Sequence, residues 1–298
     1  MPTLTVAIPA HNAERSIAHT LRALAAQRSD DFEVLVVDDG SRDGTAAVAR
    51  SHGATVVATA NGPRGAAAAR NTAIAAFSTP LIAFTDADCE PDPGWVPAIL
   101  DHFDDPDATD ALAGETRVAR GTDLGDAIAS LGWPGGGLAG FAKMWPVDED
   151  GRTRSMSSCN CAFRRRVFDT VPGYDESFPG AAGEDTLFVH RLNECGIPIR
   201  FRPDALVIHE SRSDLGGFLR WQYRRGRSAF FVKERVGRIG SYVRLRFWSM
   251  FNVLGLSVSQ GRAFLVWPLW AAQMTAYLLG YASALIERKR TGQGGGGV

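Results

Sequence analysis

The side chains in this sequence best suited to chemistry are paired carboxylates. Asp38 and Asp39 are adjacent, Asp86 and Asp88 are one residue apart, and Glu184 and Asp185 are adjacent again. His209 stands alone in Val207-Ile208-His209-Glu210. Two Asp residues at i and i+2 beyond a strand present oxygens to one hard divalent cation, with phosphate oxygens and water completing the shell. Each signal is weak alone. Asp86-Ala87-Asp88 also fits a solvated turn, Asp38-Asp39-Gly40-Ser41 an Asx-turn with a helix cap, Glu184-Asp185 a helix-opening pair favoured by the peptide dipole, and His209 a satisfied core histidine.

The elements that position these residues make the pattern stronger. Residues 4–8 read as a buried strand, and Ile17, Leu21 and Leu24 recur at helical spacing within residues 12–27. Residues 32–37 form a second apolar run, continuous as expected for a strand covered on both faces. A helix follows Asp43-Gly44, then a strand over 54–57, an Ala-rich helix over 65–77 and a strand over 81–84. Strand and helix alternate at the spacing of right-handed parallel βαβ units. In such sheets ligands bind beyond the carboxyl ends of the strands, and Asp38-Asp39 and Asp86-Asp88 fall there, as do Ala10, His11, Asn12 and Glu14. Carboxylates gathered at one rim repel each other unless a metal or hydrogen-bond donors offset the charge. Neither a P-loop nor a Gly-x-Gly-x-x-Gly after the first strand is present, so the usual NTPase and dinucleotide readings lose their support.

The chain of 298 residues is 45% hydrophobic and 22% charged, enough for a globular core. Its net charge of -1 hides an asymmetry: residues 1–210 carry net -12 and residues 211–298 net +11. An acidic body argues against nucleic acid as partner, and a basic, aromatic-rich tail suggests an anionic surface. Cys89, Cys159, Cys161 and Cys195 follow no zinc-ribbon or secreted-scaffold spacing, so free thiols in a reducing compartment are expected. Cys159 and Cys161 are expected on one side of a strand. The N-terminus lacks signal-peptide character, which keeps the body in the cytosol.

Residues 263–286 carry no formal charge over 24 positions, and Glu287-Arg288-Lys289-Arg290 follow. At about 1.5 Å per residue the run is long enough for a hydrocarbon core of about 30 Å. Residues 247–261 form a shorter uncharged stretch. With cations on both outer flanks, a shallow hairpin or a helix lying in the headgroups is favoured over a single crossing. Buried helices covering the body or a homodimer interface are the alternative. Residues 114–155, Gly-rich with little periodicity, read as a functional or mobile loop or as a surface insertion.

Six motifs in order, VAIPAHNAERSIAHTLRAL, FEVLVVDDGSRDGT, GAAAARNTAI, PLIAFTDADCEPDPGWV, SCNCAFRRRVFDTVPGYDESF and GEDTLFVHRLNECGIPIRF, ending near VIHE, resemble the family 2 glycosyltransferases. The resemblance covers about residues 3–210. It implies a GT-A, Rossmann-like α/β fold with a mostly parallel sheet and flanking helices. Residues 1–110 would be the nucleotide-sugar half and 111–210 the acceptor half. After them come a basic helical connector over 211–246, membrane-associating helices over 247–290 and a disordered Gly-rich tail over 291–298.

By the same resemblance Ala10, Asn12 and Glu14 shape the base pocket, Asp39 accepts from the base, commonly uracil, and Arg70 lies near the nucleotide. Asp86 is directed toward ribose and metal, Asp88 is the firm metal ligand, and His209 supplies a further ligand to Mn²⁺ or Mg²⁺, its imidazole suiting Mn²⁺. Asp185 is the catalytic base, with Glu184 as second choice, in a single inverting displacement that keeps base and leaving diphosphate on opposite sides of the sugar. Trp221-Gln222-Tyr223-Arg224-Arg225-Gly226 partly resembles the Gln-x-x-Arg-Trp signature of processive members, with Gly226 in place of Trp. Polymer synthesis is therefore not expected, and Arg225 either reaches the diphosphate or joins a basic surface. The expected function is metal-dependent transfer from a nucleotide diphosphate sugar, UDP-linked by preference, to a hydroxyl acceptor such as a lipid-linked glycan or glycolipid at the cytoplasmic face of the cell membrane. Transfer to polyprenyl phosphate and a catalytically silent sugar-nucleotide scaffold are the alternatives.

Overall fold

A computed structural model describes residues 1–178, 183–237 and 263–290, together with Phe251 and Gly255. Apart from those two residues, the uncharged stretch 247–261 lies outside the described residues, as do 238–246 and the Gly-rich tail.

One nine-stranded sheet runs through both halves of the chain. Its first four strands in the order of the sheet are β3 (Thr55–Ala58), β2 (Phe32–Asp38), β1 (Leu4–Ala10) and β4 (Leu81–Thr85), all parallel. Then come β8 (Asn160–Arg164), antiparallel to β4, β6 (Ala111–Val118), β9 (Ile199–His209) and the short β5 (Cys89–Pro91). The remaining strand, β7 (Arg152–Thr153), pairs with β9. Alternation along the strands divides the core in two. On one face Leu4, Val6, Ile8 and Ala83 pack with α1 (Ile17–Ala25), α2 (Thr45–Ser51) and α4 (Trp95–Asp104). On the other, Ala7, Ile82, Phe84 and Phe163 pack with α3 (Ala66–Ala76), α7 (Val167–Thr170) and α8 (Glu184–Glu194).

The two halves meet on a buried amide. Asn160 donates from Nδ2 to the carbonyls of Glu115 (2.8 Å) and Ala205 (2.9 Å), and its Oδ1 accepts from Trp95 Nε1 at 2.8 Å. One side chain thus ties β8, β6, β9 and α4 together with its polar groups paired, as burial demands. Cys159 and Cys161 do not share a side. Cys159 joins the core that contains Cys89, and Cys161 the opposite one with Phe84 and Phe163. The reason is local: residue 159 is still in the turn closed by the Ser157–Asn160 bridge, one residue before β8 begins.

Residues 114–155 are not an irregular loop. They contain most of β6, then α5 (Asp123–Ser130), α6 (Phe141–Met144) and β7. Ala127, Ile128, Leu131, Phe141 and Met144 are buried, and the Glu115 carboxylate accepts from the Phe141 and Ala142 backbone N–H groups. The glycines obscured this periodicity in the sequence.

The basic connector is largely α9 (Leu215–Val236), capped by Asp214, and it lies along α10 (Ala263–Arg290). A Cβ on Gly226 would stand 1.9 Å from the Tyr277 carbonyl oxygen, and a Cβ on Gly280 1.9 Å from that of Tyr223. The two glycines let the helix backbones touch. Gln222 Nε2 donates to Gln273 Oε1 at 2.7 Å inside the contact, and Arg227–Glu287 (2.6 Å) and Arg288–Glu234 (3.0 Å) pair at its edge. Replacement of Gly226 by Val should force the helices apart at a cost of about 1–3 kcal/mol. Calorimetry should then show a lower melting temperature; an unchanged one would refute the close crossing.

Candidate active site

The rim at the carboxyl ends of β1, β2 and β4 gathers the expected residues through hydrogen bonds between loops. Ala10 pairs with Asp38 in register, and its carbonyl accepts from the Asp39 N–H at 2.8 Å. His11 Nδ1 meets the Asp39 carbonyl at 2.8 Å and must donate to it, which makes Nε2 the acceptor for Asn12 Nδ2 at 2.9 Å. Asn12 Oδ1 then accepts from the Arg42 N–H, and its own N–H reaches Ser41 Oγ. Asn12 is exposed and brackets the second turn. The Glu14 carboxylate lies against Gly44 at the opening of α2, to one side of Asn12.

Within Asp38-Asp39 the roles divide. Asp38 Oδ1 accepts from the Ser41 N–H and makes the turn. Asp39, only 5% exposed, accepts from Thr59 Oγ1, the Arg64 N–H and the Gly65 N–H at 2.7–2.8 Å. Its Oδ1 takes two of these donors and Oδ2 one, so Oδ2 keeps a lone pair for a ligand N–H. The segment 59–65 that cradles Asp39 was not singled out by sequence reasoning, although Asn61-Gly62-Pro63 marks a turn there.

Arg70 is the centre of the site. Its side chain is 4% exposed, with Nη2 3.1 Å from Asp86 Oδ1 and Nη1 3.1 Å from Glu184 Oε1. Burial opposes its charge, yet Asp86, Tyr174, Glu184 and Asp185 together raise its pKa. The neighbouring Asn71 donates to the Tyr174 carbonyl and accepts from the Tyr174 N–H. The Arg-Asn pair of GAAAARN therefore joins the first part of the chain to residues 174–184. Arg70 is neither a solvated helix residue nor a surface cation.

Asp185 is half-buried at the start of α8. Its Oδ1 accepts from the Thr186 N–H at 2.7 Å, and among the described residues its Oδ2 has no hydrogen bond. Glu184 is buried against Arg70. Of the two acids, Asp185 keeps the open oxygen, while Glu184 holds the guanidinium.

The antiparallel register of β5 on β9 sets Cys89 opposite His209, and so brings His209 to Asp88. His209 is 4% exposed; its Nδ1 donates to the Glu210 carbonyl at 2.9 Å, which turns Nε2 toward Asp88 Oδ1 at 3.4 Å. This fixed tautomer is the usual arrangement of a metal-ligating imidazole. Asp88, His209 and the buried Cys89 offer ligand atoms within 4.8 Å of one another. Burial pushes the Cys89 thiol well up, so it keeps its proton beside the two better ligands. Burial also raises the Asp88 pKa against the lowering pull of His209, and Asp86 adds to the rise. A cation held between Asp88 and His209 would offset that desolvation, and the donor set of carboxylate oxygen and imidazole nitrogen fits Mn²⁺ or Mg²⁺.

Arg212 was not singled out as a site residue, although it follows His209 by three positions. Its guanidinium lies 4.8 Å from the Trp221 ring centre, and its charge pulls the Asp88 pKa down. Arg225 instead stacks on Trp133 (3.7 Å) and Trp221 (4.8 Å), and Gln222 is buried against Gln273. The partial Gln-x-x-Arg motif thus serves helix packing, with the α10 backbone where a Trp at Gly226 would project.

The sequence model of Glycosyl transferase family 2 matches residues 5–171. Glycosyltransferase AglE of Haloferax volcanii is 27% identical over 243 residues, 78% of this chain and 74% of AglE. The pre-mycofactocin glycosyltransferase of Mycobacterium tuberculosis is 31% identical over 221 residues, 71% of this chain; the match spans only 43% of that protein's length. In fold the chain resembles the mannosyltransferase PcManGT from Pyrobaculum calidifontis, solved in complex with GDP-Man and Mn²⁺. The TM-score is 0.65 at 19% sequence identity, covering 96% of this chain and 88% of the other. With the acidic rim, the buried Arg70 bridge and the matched motifs all in one site, the chain belongs to glycosyl transferase family 2 and is a glycosyltransferase.

Proposed function

We propose that the chain moves a sugar from a nucleotide diphosphate sugar to the hydroxyl of a membrane-borne acceptor, a lipid-linked glycan or glycolipid, at the cytoplasmic face of the cell membrane. One observation carries this reading: a single buried guanidinium, Arg70, holds the Asp86-Ala87-Asp88 rim and the Glu184-Asp185 pair on its two sides. That arrangement sets a pair suited to the leaving diphosphate opposite a carboxylate suited to the acceptor proton. The resemblance favours a UDP-linked donor, while the PcManGT complex holds GDP-Man, so both nucleotides enter the test.

In the proposed reaction the base packs by Ala10 and Asn12 and donates an N–H to Asp39 Oδ2. Asp185 accepts the acceptor's proton as its oxygen bonds to the anomeric carbon, and the bond from that carbon to the diphosphate oxygen breaks on the opposite face, inverting the centre. Asp88 and His209 would hold the divalent cation, which neutralises charge on the leaving diphosphate. Arg212 offers a fixed positive charge on the same side.

With Asp185→Asn, transfer from a UDP- or GDP-sugar should fall by about 10²–10⁴-fold while nucleotide affinity by calorimetry stays within about twofold. Glu184→Gln should lose about tenfold or less, since a neutral amide still accepts from Arg70; the reverse ranking would make Glu184 the base. Chelation should stop transfer and added Mn²⁺ or Mg²⁺ restore it, whereas His209→Ala should weaken metal affinity by about 10–100-fold. Full turnover in chelator would end the metal-dependent reading.

A further inference from the structure

Helix α10 is apolar on two opposite sides, and among the described residues only one of them is packed. Val266, Leu269, Gln273, Gly280 and Ala284 are buried toward α9 and α5 at helical spacing. Phe264 (75% exposed), Leu278 (58%), Leu279 (60%), Leu285 (38%) and Ile286 (49%) project elsewhere. At about 100° per residue these five fall within an arc of about 120°, centred opposite the buried row. Trp267, Pro268, Ala271, Thr275 and Ala282 fill the rest of that arc, and the Thr275 hydroxyl is satisfied by the Ala271 carbonyl at 3.0 Å. A helix on a water-exposed surface places charged residues on such a face. None occurs here from 263 to 286.

We propose that this outer face docks on an anionic lipid bilayer, with α10 lying flat in the headgroup layer. The proposal deepens the membrane-borne acceptor reading and rests on it. Charge selects the occupant. Residues 211–298 carry net +11, and Arg288-Lys289-Arg290 close the apolar face at one end. A two-fold pairing of chains through α10 would bring two such segments together, whereas an anionic surface neutralises them. Spanning is opposed by the packing. Helix α9, in backbone contact with α10, carries Arg224, Arg225, Arg227, Lys233, Glu234 and Arg235, and the Arg227–Glu287 and Arg288–Glu234 pairs would enter the hydrocarbon with it.

The docked face also orients the site. Val266 and Leu269 share a cluster with Trp133 and Trp221, and Trp221 carries Arg212, whose charge reaches Asp88. The end of α10 nearest Phe264 is thereby coupled to the metal-capable end of the rim, so a lipid-linked acceptor would be met beside the bilayer.

The test uses the full chain and flotation with vesicles of phosphatidylcholine alone or mixed with phosphatidylglycerol. Binding is expected to the mixed vesicles, reduced at high salt as surface attraction is screened. The double variant Leu278→Glu with Leu279→Glu, both exposed, should keep the melting temperature and the rate of donor hydrolysis while losing at least about tenfold in vesicle partition. Retained partition in that variant, salt-resistant insertion, or no flotation of the wild type would overturn the proposal. So would a wild-type dimer on ultracentrifugation that the double variant dissolves without vesicle binding. Unaltered donor hydrolysis in any of these cases leaves the glycosyltransferase reading standing, so the two fail separately.

Discussion

A buried positive charge flanked by two carboxylates is the constraint on which the site depends. Removing the Arg70 guanidinium from water is costly and is tolerated only because Asp86 and Glu184 meet it at 3.1 Å on either side. The bridge crosses the chain's natural seam: Arg70 rises from α3 in the first half, and Glu184 opens α8 in the second. Asp185 inherits its place from this pairing, and so does the Asp86-Ala87-Asp88 turn. Loss of the bridge would leave two acids facing each other across a buried gap.

Around that centre the structure separates carboxylates by environment. Asp39 is enclosed by backbone N–H groups, Asp88 is half-buried beside an imidazole, Glu184 is ion-paired and Asp185 keeps an oxygen without a hydrogen bond among the described residues. Four acids at one rim would repel if they shared one environment. Here each has its own donor or cation, so the same chemical group is held in four different electrostatic environments.

The helical apron extends the logic beyond the sheet. Gly226 and Gly280 bring α9 and α10 into backbone contact, and the Trp133–Trp221 cluster beneath them stacks on Arg225 and Arg212. The packing that occupies the place of a Trp at Gly226 also leaves an apolar face on α10.

Much of the first half was legible in the residues themselves. Strand and helix periods over residues 4–85 and the acidic ends of the strands follow from local pattern, because side-chain alternation and turn chemistry act over a few positions. The ordered residues between 114 and 155 were not legible, since glycine spacing blurs periodicity and their apolar contacts come from α9 and α10. The separation of Cys159 from Cys161 depended on a turn ending one residue later than alternation implied. That Arg70 bridges two halves, that Glu184 is ion-paired while Asp185 is not, and that His209 reaches Asp88 through the β5–β9 register were decided by tertiary structure. Those pairings join residues from 114 to 121 positions apart, and only the closure of one sheet over both halves sets distances of a few ångströms between them.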